Sequence, residues 1–597
     1  MLNTLVRYYE ILAEDANSMI PKQGYGIAKI SFSLNIDDNG DLINITSCKI
    51  HDGKKLVPKP MMVPQPVTGR SGTKAQPDFL FGNSSYVLGF DSKDNKEMTR
   101  KCFNAFKEFN IQILRNAPCK EAESVIKFLE KWNPDNASAN PLFAEYLDEI
   151  YKGAVFIFRY HGIKDVHNIP VVRKAWEIYK KIQRNSFENT VQQCLVTGEK
   201  TSITVLHDSI KGLYNGQPMG NKLVSFNANA YESYNPSKKL KQGLNAPVGE
   251  YAAFAYATAL NKLLSDNSHK IILGDTTVVF WAETAAPIYQ DIFSIFMDCS
   301  EIFTEQQNKK YVRSEQAEMI VKKILDSISK GNSVDADNFY KNVLDNNIRF
   351  YVLGLSPNAA RISVRFFLQG NFGSFINRIT SHYEDLSIQR QFESDLPSIP
   401  VWKILNETLP QKSEDKSIST YLSTSLMRSI IMGDDYPASL YQTILLRIRG
   451  EQNVNYYKAS ILKACLLRKE RKMKNKMYKE VLTLALNEES KNKAYLLGRL
   501  FAVLEKAQKD ANPEVKSTIR DRYFSSASTT PATTFPILLS LVQHHISKSD
   551  YGASIERKIT EIMDKLDVDP FPKVLSLDEQ GLFYLGFYHQ RNSFYKK

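Results

Sequence analysis

The chain lacks any Cys-x-x-Cys pair: its six cysteines, Cys48, Cys102, Cys119, Cys194, Cys299 and Cys465, are scattered over 597 residues. The spacing excludes a disulfide framework and a thiolate zinc site, and implies free, mostly buried thiols in a reducing compartment. Nor does any run approach the ~20 consecutive apolar residues that a membrane span needs. The best candidate, Tyr251 to Leu264, is broken by Thr258, Asn261 and Lys262. The start, MLNTLVRYYEILAEDA, is an amphipathic helix carrying acids and not a signal peptide, so a cytoplasmic location is expected.

Catalytic signatures are equally scarce. No G-x-x-x-x-G-K-Ser/Thr run exists, so the nest and lysine of a nucleotide-holding P-loop are absent. Gly212 to Gly220 is glycine-spaced but is not the G-x-G-x-x-G of a dinucleotide site, and no G-x-S-x-G elbow occurs. His51-Asp52 and His207-Asp208 are His-Asp dipeptides without a further histidine at helical spacing. The sequence therefore predicts no catalytic residue, no metal and no cofactor. The enzyme alternative is a metal-dependent nuclease using His207 and Asp208.

What is present is an ordinary globular composition: 43% hydrophobic, 24% charged, 27 Gly and 24 Pro. At roughly 100–200 residues per domain the length implies three to five domains or subdomains. Seventy-seven Lys and Arg against 65 Asp and Glu give a net charge of +12, which favours a polyanionic partner.

The pattern along the chain predicts an α+β fold: a mixed α/β N-terminal region with antiparallel sheets, followed by a C-terminal α-helical bundle. Ile27 to Ile50 alternates about Asp37-Asp38-Asn39-Gly40, a hairpin signal. Pro58 to Gly82, rich in Pro, Gly and Gln, reads as a long exposed loop. Helical periodicity marks 100–115, 121–132 and 172–182, and an apolar strand is expected at 154–160. The stretch 194–245 is dense in Gly, Asn, Ser and Tyr, with one strand expected at 222–227. A helix at 248–264 and a strand at 271–281 follow it. Asn347–Leu355 and Arg361–Leu368 flank Ser356 to Ala360 as a second hairpin, with period two placing Arg361, Ser363 and Arg365 on one face and Ile362, Val364 and Phe366 on the other. Helices are expected at 439–449, 456–468, 494–507, 534–546 and 555–566. The divisions drawn from these shifts are 1–190, 191–370 and 371–597. Within the last, Leu467 to Lys479 holds seven basic residues and one acid, equally readable as a solvated helix face or as a phosphate-tracking stripe.

Several ordered blocks carry a resemblance. They are Cys194-Leu-Val-Thr-Gly198, His207, Ile210-Lys-Gly212, Leu223-Val-Ser-Phe-Asn227, Glu232-Ser-Tyr234, Asn245-Ala-Pro247, Tyr256 to Asn261 and Gly274-Asp-Thr-Thr277 with Phe280-Trp281-Ala282. Leu355 to Arg361 with Val364-Arg365, Ala494 to Glu505, Ser525 to Ser528, and Phe79-Leu80 with Asn83 to Gly89 agree with them. Together they closely resemble the large subunit of type I-C CRISPR Cascade surveillance complexes, the Csd family, over nearly the whole chain. The resemblance implies a non-catalytic, RNA-guided antiviral subunit that reads the PAM flanking the target in duplex DNA, assists strand separation and R-loop formation, and helps recruit a helicase-nuclease. Implied partners are CRISPR RNA and double-stranded target DNA in the assembled complex, the Cascade backbone subunits, the repeat-processing subunit, and a small subunit corresponding to the chain's own C-terminal part. That part spans about 477–597 and would start at Met473 or Met477. A scaffold that binds only proteins is the other alternative.

Residue chemistry in the Pro-rich loop, in the Gly- and Asn-rich stretch and on the second hairpin nominates DNA contacts. Arg70, Ser71 and Lys74, with Asn83 and Ser84, are expected on the flanking duplex. Lys211, Asn215, Gln217, Lys222, Asn227 and Asn229 form a second expected reader, with Gln217 near the strand junction. Lysine neutralises phosphates, Asn and Gln match base edges, and the intervening glycines admit close backbone approach. Arg361 and Arg365 are expected to line a path for the displaced strand or guide.

Overall fold

The computed structural model describes residues 1–16, 18–52, 55–67, 75–91, 96–137, 139–186, 191–226, 231, 242–303, 314–340, 343–410, 417–473, 478–566 and 570–595. Antiparallel sheets dominate the N-terminal region and helices the C-terminal half, an α+β fold. Two compact units are present: residues 1–209 with 224–262, and residues 210–223 with 263–597. Residues 263–370, grouped by sequence with the preceding region, thus belong to the helical end. The reason is packing: their sheet shares one hydrophobic core with the helices that follow.

The first unit is built on a five-stranded mixed sheet. Phe32–Ile36 pairs antiparallel with Leu42–Ser47 and parallel with Val155–Tyr160, which in turn pairs with Phe81–Asn83 and Lys164–Asp165. The predicted hairpin forms because the Asp37 carboxylate accepts from the amides of Asn39 and Asp41, while Gly40 takes a φ of 77°. Helices Lys96–Leu114, Lys120–Lys131 and Pro170–Ser186 cover one face, burying Phe32, Leu34, Phe106, Phe128, Phe156 and Phe158. On the other face Ile30, Val63, Phe81 and Ile157 make a small second core. It lies under a two-stranded sheet of Tyr25–Ile30 and Lys59–Pro64. This last strand falls where the sequence predicted only an exposed loop. A two-stranded sheet has only edges, so Pro60 and Pro64 can sit in it without a donor.

In the second unit, Lys270–Leu273, Thr276–Ala282, Arg349–Asn358 and Arg361–Asn371 form a four-stranded antiparallel meander. The single strand expected at 271–281 is a hairpin, turned by Gly274 (φ 63°) and Asp275. The register between the last two strands shifts between Gly354 and Leu355, which leaves Arg365 without an opposite residue. The expected alternation therefore fails at Arg365. Phe366 crosses to the core side beside Val278, Phe280 and Val352, and Val364 is exposed. Helices Ile288–Met297, Glu315–Ser329 and Phe372–Leu386 pack on that core.

The C-terminal bundle centres on Lys493–Ala511 against Leu577–Ser593, whose backbones touch through glycine. A Cβ on Gly498 would overlap the Phe583 carbonyl oxygen, and one on Gly586 the Tyr495 carbonyl oxygen. Of the described basic residues in the run at 467–479, Arg468 alone is buried in this packing, and Lys474 and Lys476 lie outside the described residues. Arg468 is buried, its Nε 3.0 Å from Asp385 Oδ2, with Nη1 donating to the carbonyls of Ser429 and Asp434 and the guanidinium 3.9 Å from the Tyr436 ring centroid. Arg471 also pairs with Asp385, Lys469 with Asp578, and Lys472 with Asp435. Glu470 accepts from the backbone amides of Tyr478 and Lys479. Met473 is the C-cap of helix Tyr456–Lys472, and Met477 lies outside the described residues.

Candidate nucleic-acid interface

Among the candidate residues, Arg70, Ser71, Lys74, Asn227 and Asn229 lie outside the described residues. Asn83 and Ser84 have local structural tasks. Asn83 caps helix Ser84–Val87 by accepting from the Tyr86 amide, and Ser84 is completely buried, so its hydroxyl does not reach the surface as expected for a DNA contact. A groove of about 880 Å³ in the same unit is lined by Lys96, Arg100 and Lys101 but equally by Glu97, Glu108 and Asp135. That balance of charge does not make a phosphate track.

Lys211, Asn215, Gln217, Lys222 and Arg361 are brought together in the second unit, which also holds Arg365. The segment from 210 to 223 is a pinched loop: the amide and carbonyl of Ile210 exchange hydrogen bonds with those of Asn221, both at 2.8 Å. Two consecutive turns fill it. Leu213–Gly216 carries Asn215 at φ 55°, the left-handed position that Asn tolerates, and closes with the Gly216 amide on the Leu213 carbonyl. Gln217–Gly220 has Pro218 second and Gly220 fourth, and closes with the Gly220 amide on the Gln217 carbonyl at 2.8 Å. The side chains of Asn215 and Gln217 are exposed. Backbone fit holds the loop down: the Tyr214 amide donates to Thr277 Oγ1 at 3.0 Å, and a Cβ on Gly212 would lie 3.1 Å from the Leu264 carbonyl oxygen.

The loop then joins the tip of the second hairpin. Lys222 pairs in parallel with Arg361: its amide donates to the Ala360 carbonyl at 2.9 Å, and its carbonyl accepts from Ile362 at 3.0 Å. Only these residues of the strand expected at 222–227 are paired among those described; 223–226 are irregular. As register partners Lys222 and Arg361 leave the backbone on one face, which puts two cations side by side. Arg365 stands apart from them. Its Nε donates to the buried Ser356 hydroxyl at 3.1 Å, its Nη2 lies 3.9 Å from Asp275 Oδ2, and Ser356 meets Thr276 Oγ1 at 3.1 Å. That brace joins the two hairpins of the sheet.

Sequence reasoning missed Asn221. It is 1% exposed, Nδ2 donates to the Ala359 carbonyl at 2.7 Å, and Oδ1 accepts from the Gln217 amide at 3.0 Å. Nothing in a run of several asparagines distinguishes the buried one from those facing solvent.

In the first unit, His207 is buried with Nδ1 2.6 Å from the Tyr256 hydroxyl. Cys194 is buried too; backbone amides of Val196, Thr197 and Gly249 point at its sulfur from 3.2–3.4 Å. Desolvation raises its pKa, but these and the other hydrogen bonds outweigh it and the net direction is down. Among the described residues no group of three or more His, Cys, Asp or Glu could hold a metal ion, and no helix is long and apolar enough to cross a membrane.

The fold is α+β, with a glycine- and asparagine-rich loop bridged to the tip of a hairpin in the second unit. Residues 5–595 match the family described as CRISPR-associated protein (Cas_Csd1), and the chain belongs to it, a large subunit of type I-C Cascade. No curated protein matches the chain.

Proposed function

We propose that this subunit is the non-catalytic reader of the DNA flanking the guide-matched target, and that the surface formed by residues 210–223 with the 358–361 turn makes part of that contact. The observation carrying the proposal is the parallel backbone bridge between Lys222 and Arg361, which joins two cationic residues distant in sequence, the first of them in the loop that also carries the exposed Asn215 and Gln217. Cations track phosphates irrespective of sequence, whereas amide side chains can read base edges. In type I-C Cascade the guide RNA reads the target by pairing, so the protein has only the flank to read and the first base steps to open, each worth about 1.4 kcal/mol of stacking. Strand separation, R-loop formation, recruitment of a helicase-nuclease and cytoplasmic action belong to the same reading. So does a separately made small subunit from about 477–597, supported by the glycine-mediated helix pair that lies wholly inside that range.

Alanine at Lys222 or Arg361 in the assembled complex tests the surface. Each is expected to weaken all duplexes alike and to reduce the slope of log affinity against log salt by about 0.9. Unchanged slopes in both variants would remove this surface from the DNA contact. Cleavage of DNA by the purified chain with Mg²⁺ or Mn²⁺, abolished by His207→Ala, would instead establish the nuclease alternative.

A further inference from the structure

We infer that Asn221, buried beneath the surface just described, is the positioning residue that converts the loop and the hairpin tip into one reading unit and so sets its sequence discrimination. The inference rests on the proposed function of that surface. One residue there ties three segments together, the carboxamide serving two of them. Its backbone pairs with Ile210, its Oδ1 accepts from Gln217 at the start of the second turn, and its Nδ2 donates to Ala359 at 2.7 Å and more weakly to Arg361 at 3.4 Å, both carbonyls of the hairpin tip. The three partners fix the amide's orientation, since two carbonyls face the nitrogen and one N–H faces the oxygen. The pocket is tailored to it: a Cβ on Gly216 would sit 2.8 Å from Asn221 Oδ1.

The chemistry of the exposed groups separates two consequences. A lysine or arginine near a phosphate loses attraction gradually with distance, because the Coulomb energy falls as 1/r. A hydrogen bond from Gln217 or Asn215 to a base edge fails once it is displaced by about half an ångström or turned by some tens of degrees. Asn221 touches Gln217 and the hairpin tip at once, so releasing it moves the readers relative to the cations. Discrimination should fall while the electrostatic contribution persists.

Asn221→Asp tests this with the smallest change of shape, because it turns the donor into an acceptor facing two carbonyls. The assembled complex carrying it is titrated against two duplexes that differ only in the flanking bases, at several salt concentrations, with hydrogen exchange of residues 210–223 followed in parallel. The expected result is a drop in the affinity ratio of the two duplexes by about tenfold or more, faster exchange at the Gln217 amide, and an unchanged salt slope. Lys222→Ala should do the reverse, lowering the slope and keeping the ratio. Where Asn221→Asp does not assemble, Gly216→Ala displaces the same carboxamide more mildly and is read in the same way. A retained ratio despite faster exchange overturns the inference, and so does a ratio and slope that fall together, which would mean that Asn221 merely keeps the surface folded. If Lys222→Ala and Asn221→Asp both leave ratio and slope unchanged, the reading of the surface itself fails.

Discussion

Replacing Asp385 tests whether Arg468, the buried cation of the basic run, serves internal packing. Its carboxylate is fully buried and accepts from Arg468 and Arg471, while Lys463 donates to its backbone carbonyl at 3.1 Å and to that of Ser387 at 2.7 Å. Burial pulls the Lys463 pKa down to about 8, against the opposing pull of Asp385. Asp385→Ala would thus strand a buried guanidinium beside a buried ammonium. Breaking a buried pair from one side costs about 3–5 kcal/mol, whereas exposed pairs such as Lys472–Asp435 are worth ~0–1 kcal/mol. At 3 kcal/mol the amides of helix Tyr456–Lys472 should lose more than a hundredfold of their hydrogen-exchange protection. Asp385→Asn, which keeps the shape and one acceptor, should lose less. The salt slope of the assembled complex, measured where the variant is still folded, should not move. A loss below about 1 kcal/mol, or a changed slope with protection intact, would refute the assignment of Arg468 to internal packing.

Two further predictions concern the bundle and pH. Gly498→Ala gains about 1 kcal/mol of helix propensity but drives a Cβ into the Phe583 backbone, with its carbonyl carbon at 2.8 Å, and overpacking of that kind costs more than the propensity returns. It should destabilise the bundle in urea unfolding, whereas Gly450→Ala, whose Cβ meets nothing within 4 Å, should stabilise by about 0.5–1 kcal/mol. The opposite order of midpoints would contradict the close helix contact. Burial depresses the pKa of His167 to about 4 and of His589 to about 3, and holds His382 well below its ordinary value. The folded state therefore binds fewer protons than the unfolded one below about pH 6.5, and stability falls as pH drops. His167 and His589 each contribute a loss of about 1.4 kcal/mol per pH unit between roughly pH 6 and those folded values, and His382 adds in the same direction. Urea midpoints at pH 7, 6 and 5 check this, and His589→Gln should flatten the profile; a profile flat in the unmodified chain would refute it.

Much of the fold was legible because local chemistry and tertiary environment agreed. The hairpin falls at Asp37 to Gly40 as expected, though through a five-residue connection, 37–41, and not a two-residue Asn-Gly turn, and the helices at 96–114 and 120–131 show an apolar stripe because one side faces solvent. The helix Leu577–Ser593 gave no such signal. It is buried on nearly every side from Gln580 to Gln590, so no polar face alternates with an apolar one. Gly274-Asp275 is a hairpin dipeptide whose flanking β-branched run hid the break. The bulge at Arg365 depends on the opposite strand and has no signature of its own. At the candidate site, both the loop and the hairpin could be picked from residue chemistry. Their adjacency could not, since the Asn221–Ala359 bond spans 138 residues.

The proposed flank recognition by this chain can be read from the complex itself. Titrating the complex assembled with and without the chain, against duplexes that share one guide-matched target and differ only in the bases beside it, at two salt concentrations, tests it most directly. Flank-dependent, salt-sensitive binding without cleavage is expected only when the chain is present. Binding that is identical after its omission would contradict it and make the chain a scaffold.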